Sequence, residues 1–383
     1  MKWEKVKLGD IATFSNGINF NKTAYAKGIK LIGVSNFGDR FYPDCSQLQE
    51  VKKDIVRLED CLRNGDIVFV RSNGNKELVG RCMLVKNPTE RVTYSGFCIR
   101  ARLNDTDRYD PVYFTYYFKS KAFRRAVSGT AVGANIQNLS QARLSNHECR
   151  IPSIEVQHRI ADILSVYDDL IENNQKQIKL LEEAAQRLYK EWFVDLRFPG
   201  HENTKIVDGV PEGWSRGLLK ELISVNYGKD HKKAPDDGNI PVYGSGGLMR
   251  KCNKSLFSGE AVLIPRKGSL NNIMYVDETF WTVDTMFYAT MKQPHTAVFV
   301  YFFVKAFDMY SMNIGAAVPS MTTKILDAMD VAIPDKETLE KFDKYAKVYF
   351  NKIKTLQGQN EQLKTARDLL LPKLMYETRK GDF

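Results

Sequence analysis

The chain repeats its own pattern of residues, and each copy ends in a long segment with heptad spacing. The matched landmarks are Trp3 and Trp214, Gly17 and Gly228, Arg71-Ser72-Asn73-Gly74 and Arg266-Lys267-Gly268, and Ile151-Pro152 and Ile333-Pro334. Their order is kept while their separation shrinks, as expected when the second copy has shorter loops. A chain of this kind folds into two similar domains, each followed by a long helix.

Both long segments space their apolar residues alternately four and three positions apart, which is typical of a coiled-coil seam. The first seam comprises Ile160, Leu164, Tyr167, Ile171, Asn174, Ile178, Leu181, Ala185, Leu188 and Trp192. The second comprises Tyr345, Tyr349, Lys352, Leu356, Gln359, Leu363, Ala366 and Leu370. We expect the two helices to pair antiparallel, with Asn174 and Gln359 meeting near mid-length. The alternative is two amphipathic helices on separate domains, where Lys352 and Gln359 would be unusual.

The predicted fold class is α+β, with two similar mixed α/β domains joined by two long antiparallel helices in a pseudo-two-fold repeat. The predicted boundaries are residues 1–154 for the first domain, 155–197 for the first helix, 198–335 for the second domain and 336–383 for the second helix. Short β-rich runs separated by Gly, Asn and Pro turns predict the strands. The aromatic segments 111–127 and 297–310 are expected to be core helices, and a base-stacking surface is the weaker alternative.

Composition places the chain among ordinary globular proteins, with 383 residues, of which 43% are hydrophobic and 27% charged. Its six cysteines form no CxxC pair, so they predict buried free thiols and neither zinc ligands nor a disulfide framework. The N-terminus has no apolar signal core, and the longest apolar run, residues 297–304, is too short to span a bilayer. We therefore expect a cytoplasmic protein.

The formal net charge of +10 indicates double-stranded DNA as a partner, because Lys and Arg neutralise phosphates. Basic residues lie in loop-like stretches beside amide and hydroxyl side chains, the types that read base edges in the major groove. The predicted DNA-binding residues are Arg71, Asn73, Lys76 and Asn135 in the first domain, and Lys232, Lys233, Arg266 and Lys267 in the second. A solvated basic surface is the alternative for any one of them.

Motifs for catalysis are missing from the sequence. It contains no glycine-rich nucleotide loop, no Asn-Pro-Pro-aromatic motif and no HExxH pair. The glycine cluster Gly244-Ser245-Gly246-Gly247 is interpreted as a hairpin turn. Binding without chemistry is the favoured function. The alternatives are a fragment of a fused methyltransferase or nuclease, and a coiled-coil scaffold that does not touch DNA.

One long motif resembles the central helix of specificity subunits of type I restriction-modification systems. It runs from Glu155-Val156-Gln157-His158-Arg159 through Asp168-Asp169-Leu170-Ile171-Glu172-Asn173-Asn174 to Tyr189-Lys190-Glu191-Trp192-Phe193. Pro211-Glu212-Gly213-Trp214 and the run from Ile240 to Gly268 are similar to parts of that family's second target-recognition domain. The resemblance covers essentially the whole chain.

The resemblance implies that each domain reads one half of a bipartite, asymmetric DNA target while the helices hold the halves at a fixed spacing. It implies two modification subunits docked on the helices and restriction, or translocase, subunits that complete the nuclease. S-adenosylmethionine, ATP and Mg are then expected in the partner subunits, with no cofactor and no metal in this chain. The chain itself would be non-catalytic.

Overall fold

The computed structural model describes residues 3–75, 78–127, 137–312 and 320–376. The chain divides into two units, the first formed by Met1–Gln175 with Gly358–Phe383 and the second by Lys176–Gln357. Each long helix contributes one part to each unit. The first unit therefore contains the N-terminal part of the first long helix and the C-terminal part of the second.

The first unit is built on short, mostly antiparallel strands. These are β1 (Glu4–Lys7), β2 (Ala12–Asn16), β3 (Tyr25–Ile32), β4 (Gln49–Val51), β5 (Ile67–Val70), β6 (Ser72–Asn73), β7 (Cys82–Leu84), β8 (Val92–Tyr94), β9 (Cys98–Leu103), β10 (Gln137–Asn138) and β11 (Glu148–Ile151). Its helices are α1 (Leu8–Ile11), α2 (Pro111–Lys119), α3 (Lys121–Val127), α4 (Gln141–Ser145) and the start of α5 (Ile154–Tyr189). The sheets have the orders β2-β9-β5-β7, β4-β3-β8 and β1-β11.

The second unit repeats this topology with longer strands. These are β12 (Ile206–Val207), β13 (Val210–Pro211), β14 (Ser215–Leu218), β15 (Ile223–Tyr227), β16 (Ile240–Gly244), β17 (Gly247–Cys252), β18 (Phe257–Pro265), β19 (Met274–Thr282), β20 (Met286–Met291) and β21 (Asp330–Ile333). Its helices are α6 (Ala297–Lys305), α7 (Thr323–Asp327) and the start of α8 (Lys336–Tyr376).

The sheet orders confirm the internal repeat. The order β15-β20-β18 matches β2-β9-β5, and the pair β14-β21 matches β1-β11. The strand β16 pairs in parallel with β19, as β3 does with β8. The long strand β19 thus takes the places of both β7 and β8. The predicted turn at Gly244 is also confirmed, since Gly244 pairs with Gly247 between β16 and β17.

The aromatic segments lie in the core, as predicted. Residues 113–118 of α2 are buried, and so are residues 297–304 of α6. The first segment is two helices and not one, because Ser120 leaves the helical conformation after α2 and its hydroxyl accepts a hydrogen bond from the Phe123 amide at the start of α3. The aromatic rings of residues 113–118 and 297–304 therefore stabilise each unit and are not available to stack on bases, whereas Phe307 and Tyr310 at the end of the second predicted segment are exposed.

The cysteines are all free thiols. Five are buried, and Cys45 is half-buried. Burial raises the pKa of the Cys82 thiol to about 11 and that of Cys98 to about 12. These thiols are therefore protonated at neutral pH, and they act as small apolar groups of the core.

In the first unit, α5 and α8 pack antiparallel. Asn174 Nδ2 donates to Asn360 Oδ1 at 2.9 Å, and Arg367 donates to Asp168 further along both helices. Beyond these polar contacts, Ile160 and Leu164 join the same core as Leu374 and Met375. Residue numbers decrease along α5 as they increase along α8 through this series of contacts, so the two helices are antiparallel.

The seam of α5 follows the predicted positions. Ile160, Leu164, Ile171 and Asn174 are buried, and Tyr167, Ile178, Leu181 and Leu188 are half-buried. Buried Asp168 lies next to this stripe. The stripe is broader than a strict heptad line because a straight helix with 3.6 residues per turn drifts against a repeat of 3.5.

The seam of α8 needs a correction. Its inward positions are Phe342, Ala346, Tyr349, Ile353, Leu356, Asn360, Leu363, Arg367, Leu370 and Leu374. The predicted Tyr349, Leu356, Leu363 and Leu370 are among them, but Tyr345, Lys352 and Gln359 are exposed. Between Tyr349 and Leu356 the buried residue is Ile353, one position later than the predicted Lys352. Burying the apolar isoleucine side chain costs less free energy than burying the charged lysine. The amide that meets Asn174 is consequently Asn360.

We expect this buried amide pair to specify the register of the helices at a cost in stability. Asn360→Leu should destabilise the protein by roughly 1–3 kcal/mol, because Asn174 would stay buried without its acceptor. Asn174→Leu with Asn360→Leu should recover that loss. Thermal unfolding of the single and double variants measures this, with Gln359→Leu as the exposed control. A double variant that is less stable than both single variants would contradict it.

Candidate nucleic-acid interface

In both units a buried strand runs directly into a basic loop. The strand β5 ends at Val70 before Arg71, and β18 ends at Pro265 before Arg266. The Arg71 amide donates to the Phe97 carbonyl at 2.8 Å, and the Arg266 amide donates to the Thr285 carbonyl at 2.8 Å. The two arginines therefore occupy equivalent positions in the repeat.

The equivalence extends to the following segments. The Arg71 carbonyl accepts from the Leu139 amide and the Arg266 carbonyl from the Met321 amide, each at 2.9 Å. Each guanidinium also bonds to a backbone carbonyl, Arg71 Nη1 to Gly96 at 3.1 Å and Arg266 Nη1 to Asp284 at 3.3 Å. Part of each arginine thus holds two loops together, a role that the sequence did not indicate.

The repeated glycines Gly17 and Gly228 explain why these loops approach so closely. A Cβ on Gly17 would lie 2.2 Å from the Tyr94 carbonyl oxygen, and one on Gly228 would lie 2.0 Å from that of Val283. Both contacts are with backbone, which cannot move aside. Glycine at these positions lets the loop after β2 or β15 lie against the turn that supports the arginine.

The remaining predicted residues of the first unit are only partly described. Asn73 is half-buried in β6, where it pairs with Gln137, and its side-chain oxygen accepts from the Asn75 amide at 2.7 Å. Lys76 and Asn135 lie outside the described residues. The structure therefore places Arg71 and Asn73 on neighbouring positions of one loop.

In the second unit, Lys232 and Lys233 are exposed on a short turn after β15. The Asp230 carboxylate accepts from the Lys232 amide at 3.0 Å. The Arg250 guanidinium, on β17, bonds to the His231 carbonyl and, at 2.7 Å, to the Ala234 carbonyl. Arg250 fixes the turn and leaves both lysine side chains in solvent.

Lys267 is exposed beside Arg266, and its backbone forms an isolated antiparallel β-bridge with Ser320. The Arg266 guanidinium lies 5.5 Å from the centre of the exposed Tyr227 ring. The turn between β16 and β17 joins the same surface, because Asn272 Nδ2 donates to the Ser245 carbonyl at 2.9 Å and Tyr310 donates to the Gly268 carbonyl at 3.1 Å. Arg266 and Lys267 thus lie on one polar and aromatic surface.

Sequence reasoning missed Phe97, an exposed aromatic residue on the turn that holds Arg71. Its signal was its place in Tyr94-Ser95-Gly96-Phe97, directly after a buried strand. Among the described residues, no group of His, Cys, Asp and Glu is arranged to hold a metal ion.

The two units carry equivalent basic loops, and each unit contains one part of both long helices. The family model for the type I restriction modification DNA specificity domain matches residues 1–183 and 211–365. The chain therefore belongs to the type I restriction-modification specificity family.

Named relatives agree with this assignment. The chain is 26% identical over 339 residues to the type I restriction enzyme MjaIX specificity subunit of Methanocaldococcus jannaschii, covering 78% of this chain and 74% of the relative. It is 23% identical to the HindI specificity subunit of Haemophilus influenzae, with 97% and 98% covered. The crystal structure of a type I S subunit from M. genitalium shares the fold, with a TM-score of 0.56, 19% identity and coverage of 98% and 96%.

Specificity subunits of this kind supply DNA sequence specificity and are non-catalytic. None of the described helices is long and apolar enough to cross a membrane.

Proposed function

We propose that this chain is the DNA-reading subunit of a type I restriction-modification complex, with each unit reading one half of a bipartite, asymmetric target. The observation that carries this is the recurrence of the Arg71 loop as the Arg266 loop, with the same backbone and guanidinium contacts. Equivalent loops with different side chains present the same geometry to two different half-sequences.

The long helices are proposed to set the spacer between the half-sites. The 36 residues of α5 give a helix of roughly 54 Å at about 1.5 Å per residue. That length exceeds the roughly 34 to 36 Å between half-sites one DNA turn apart. Recognition loops carried near the two ends of such a frame would reach major-groove segments about one turn apart.

The chemistry is proposed to reside in the partners. Two modification subunits dock on the helices and bring S-adenosylmethionine and the methylation of adenine. The restriction subunits bring ATP and Mg for translocation and cleavage. This chain contributes affinity, sequence preference and spacing. Its loop arginines, tied to backbone carbonyls, fit a binding role.

The proposed contacts divide into two kinds. The exposed Lys232, Lys233 and Lys267 carry flexible point charges, which suit phosphates. The half-buried Arg71, Asn73 and Arg266 are held by hydrogen bonds, which suits contacts with base edges that need a defined geometry. Lys76 and Asn135 complete the predicted set on sequence grounds alone.

Replacing Lys232 and Lys233 together with Gln is expected to weaken binding to every DNA sequence. It should also lower the slope of log affinity against log salt by about 0.9 for each phosphate that the variant no longer neutralises. The measurement is a salt titration of DNA binding by the complex with its modification subunits. Lys220→Gln is the matched control, because Lys220 is exposed at the opposite end of β15 from Tyr227.

Arg266→Gln should instead cost roughly 1 to 3 kcal/mol at the cognate site and relax one position of the methylated motif. Methylome sequencing of cells carrying the variant shows which position relaxes. Charge-neutral substitutions at all eight predicted residues that leave both affinity and salt dependence unchanged would overturn the proposed DNA interface.

A further inference from the structure

Phe97 is a large apolar side chain presented to solvent by a rigid turn. Its side chain is 63% exposed, on the turn between β8 and β9. The Cys98 amide donates to the Ser95 carbonyl at 2.8 Å, and the Gly96 amide donates to the Ile18 carbonyl at 2.7 Å. Arg71 binds the same turn through its backbone amide and its guanidinium. The turn cannot fold inward to bury the ring.

A cavity of 380 Å³ lies beside Phe97, and its lining includes four amide side chains, three aromatic rings and three aliphatic side chains. Asn19 and Gln49 are exposed there, and Phe20 and Tyr25 form an edge-to-face pair with ring centres 5.4 Å apart. Asn19 lies against the turn itself, since a Cβ on Gly96 would come within 2.0 Å of Asn19 Oδ1. Lys22 is the one charged residue among the described residues that line it.

This composition differs from that of a phosphate-binding surface, which needs cations. Amides pair with the adenine edge in the major groove, and apolar groups contact the thymine methyl group or the face of a base. The side chains around Phe97 therefore match bases and not the backbone of DNA. The neighbouring Arg71 places them at the predicted interface.

We propose that the Phe97 surface, meaning Phe97 with Asn19 and Gln49, contacts bases in the half-site read by the first unit. Phe97 packs on the apolar part of a base, and the two amides bond to base edges beside it. This inference rests on the proposed function of the chain as a DNA-reading subunit. It assigns sequence selectivity to residues outside the basic loops.

The second unit makes this contact differently. The Arg71 amide donates to the Phe97 carbonyl and the Arg266 amide to the Thr285 carbonyl, so the two turns are equivalent. The second unit therefore has Thr285 where the first unit has Phe97. Thr285 is half-buried. A change at Phe97 should therefore alter one half-site and leave the other unchanged.

Phe97→Ala tests the inference in the complex with its modification subunits. The probe is a DNA duplex carrying the motif that the wild-type complex methylates. We expect affinity to fall about 10-fold, as for the removal of a single base-specific interaction, with an unchanged salt slope. One position in a single half-site should relax in the methylome. Phe97→Leu should retain part of the affinity, and Leu58→Ala, which removes an equally exposed side chain that does not line the cavity, should change nothing.

Replacing each thymine of the half-site by deoxyuridine then identifies the base group. If one deoxyuridine substitution weakens binding by the wild-type complex as much as Phe97→Ala does, the contact is with the methyl group of that thymine. If Phe97→Ala still weakens binding to every deoxyuridine duplex, the contact is with the face of a base. Both results support the inference.

Two outcomes overturn it. A sequence-specific wild-type complex whose Phe97→Ala variant keeps the same affinity and motif removes the inference and leaves the proposed function intact. A wild-type complex without any sequence preference removes both.

Discussion

A chain with one extra heptad in each long helix is expected to recognise the same two half-sequences separated by a longer spacer. Seven residues lengthen a helix by about 10 Å, which corresponds to about 3 base pairs of DNA at roughly 3.4 Å each. The insertions belong after Gln175 in α5 and after Gln359 in α8. Because the helices are antiparallel, both sites lie on the same side of the Asn174–Asn360 pair. There they add one seam repeat to both partners and keep the antiparallel match.

The enlarged frame should also bind more weakly. A heptad changes the rotational phase of an α-helix by only about 20°. Three base pairs turn DNA by roughly 100°, given about 10.5 base pairs per turn. The half-sites therefore move apart and also rotate away from the recognition loops, and the DNA or the helices must twist to restore contact.

The measurement is selection of bound duplexes from a pool in which the spacer length varies, followed by methylome sequencing. A heptad inserted into α5 alone is the control, and it should lower thermal stability because the seam residues of α8 lose their partners. A variant with matched insertions that remains folded and still selects the original spacer would show that the helices do not set the spacing.

Asp168→Asn is expected to lower the unfolding free energy by about 1–3 kcal/mol, because the largely buried Arg367 guanidinium then keeps only the exposed Asp368 carboxylate as a counter-charge. The side chains of Asp168 and Arg367 are only 3% and 11% exposed. Asp168 also accepts a hydrogen bond from the Tyr116 hydroxyl at 2.6 Å. Burial of Tyr116, reinforced by the Asp168 charge, holds the tyrosine pKa far above its usual value, so the phenol stays a donor.

A double-mutant cycle separates the ion pair from the loss of either charge. Arg367→Met should also be strongly destabilising, while Asp168→Asn with Arg367→Met should regain much of the stability because neither charge is then buried alone. Thermal or denaturant unfolding measures all four proteins. The matched control is Lys341→Met on the same helix, whose exposed pair with Glu337 should contribute less than about 1 kcal/mol. If Asp168→Asn or Arg367→Met lowered the unfolding free energy no more than Lys341→Met does, the expectation would be wrong.

Several features of the fold followed from the sequence because they depend on local periodicity. Apolar spacing located both long helices, and the recurring landmarks located two copies of one topology, including the glycines at positions 17 and 228. Buried strands such as β5 and the buried aromatic helices α2 and α6 also followed, since continuous apolar runs cannot remain in water. The apolar runs of β5 and β18 are followed directly by Arg71 and Arg266, so the positions of the basic loops could be predicted as well.

The choice between neighbouring positions depended on tertiary structure. Asn360 and not Gln359 meets Asn174, because the approach of α5 decides which face of α8 is buried. The pairing of Asp168 with Arg367 joins residues that are far apart in the chain, and no local pattern marks it. The guanidinium groups of Arg71 and Arg266 each donate to a backbone carbonyl, of Gly96 and Asp284, and only the folded turns bring those carbonyls close to them.

Phe97 shows the same limit. In the sequence it is one more apolar residue after a buried strand, and the alternation of β9 would allow it to point inward. The turn that begins at Ser95 rotates it outward, and the bonds from Arg71 and to Ile18 keep it there. The sequence by itself thus determined the duplicated domains, the helical frame and the basic loops, because these arise from residue type and spacing. Only the tertiary structure decided the helix register and which side chains face outward, because both depend on contacts between segments distant in the chain.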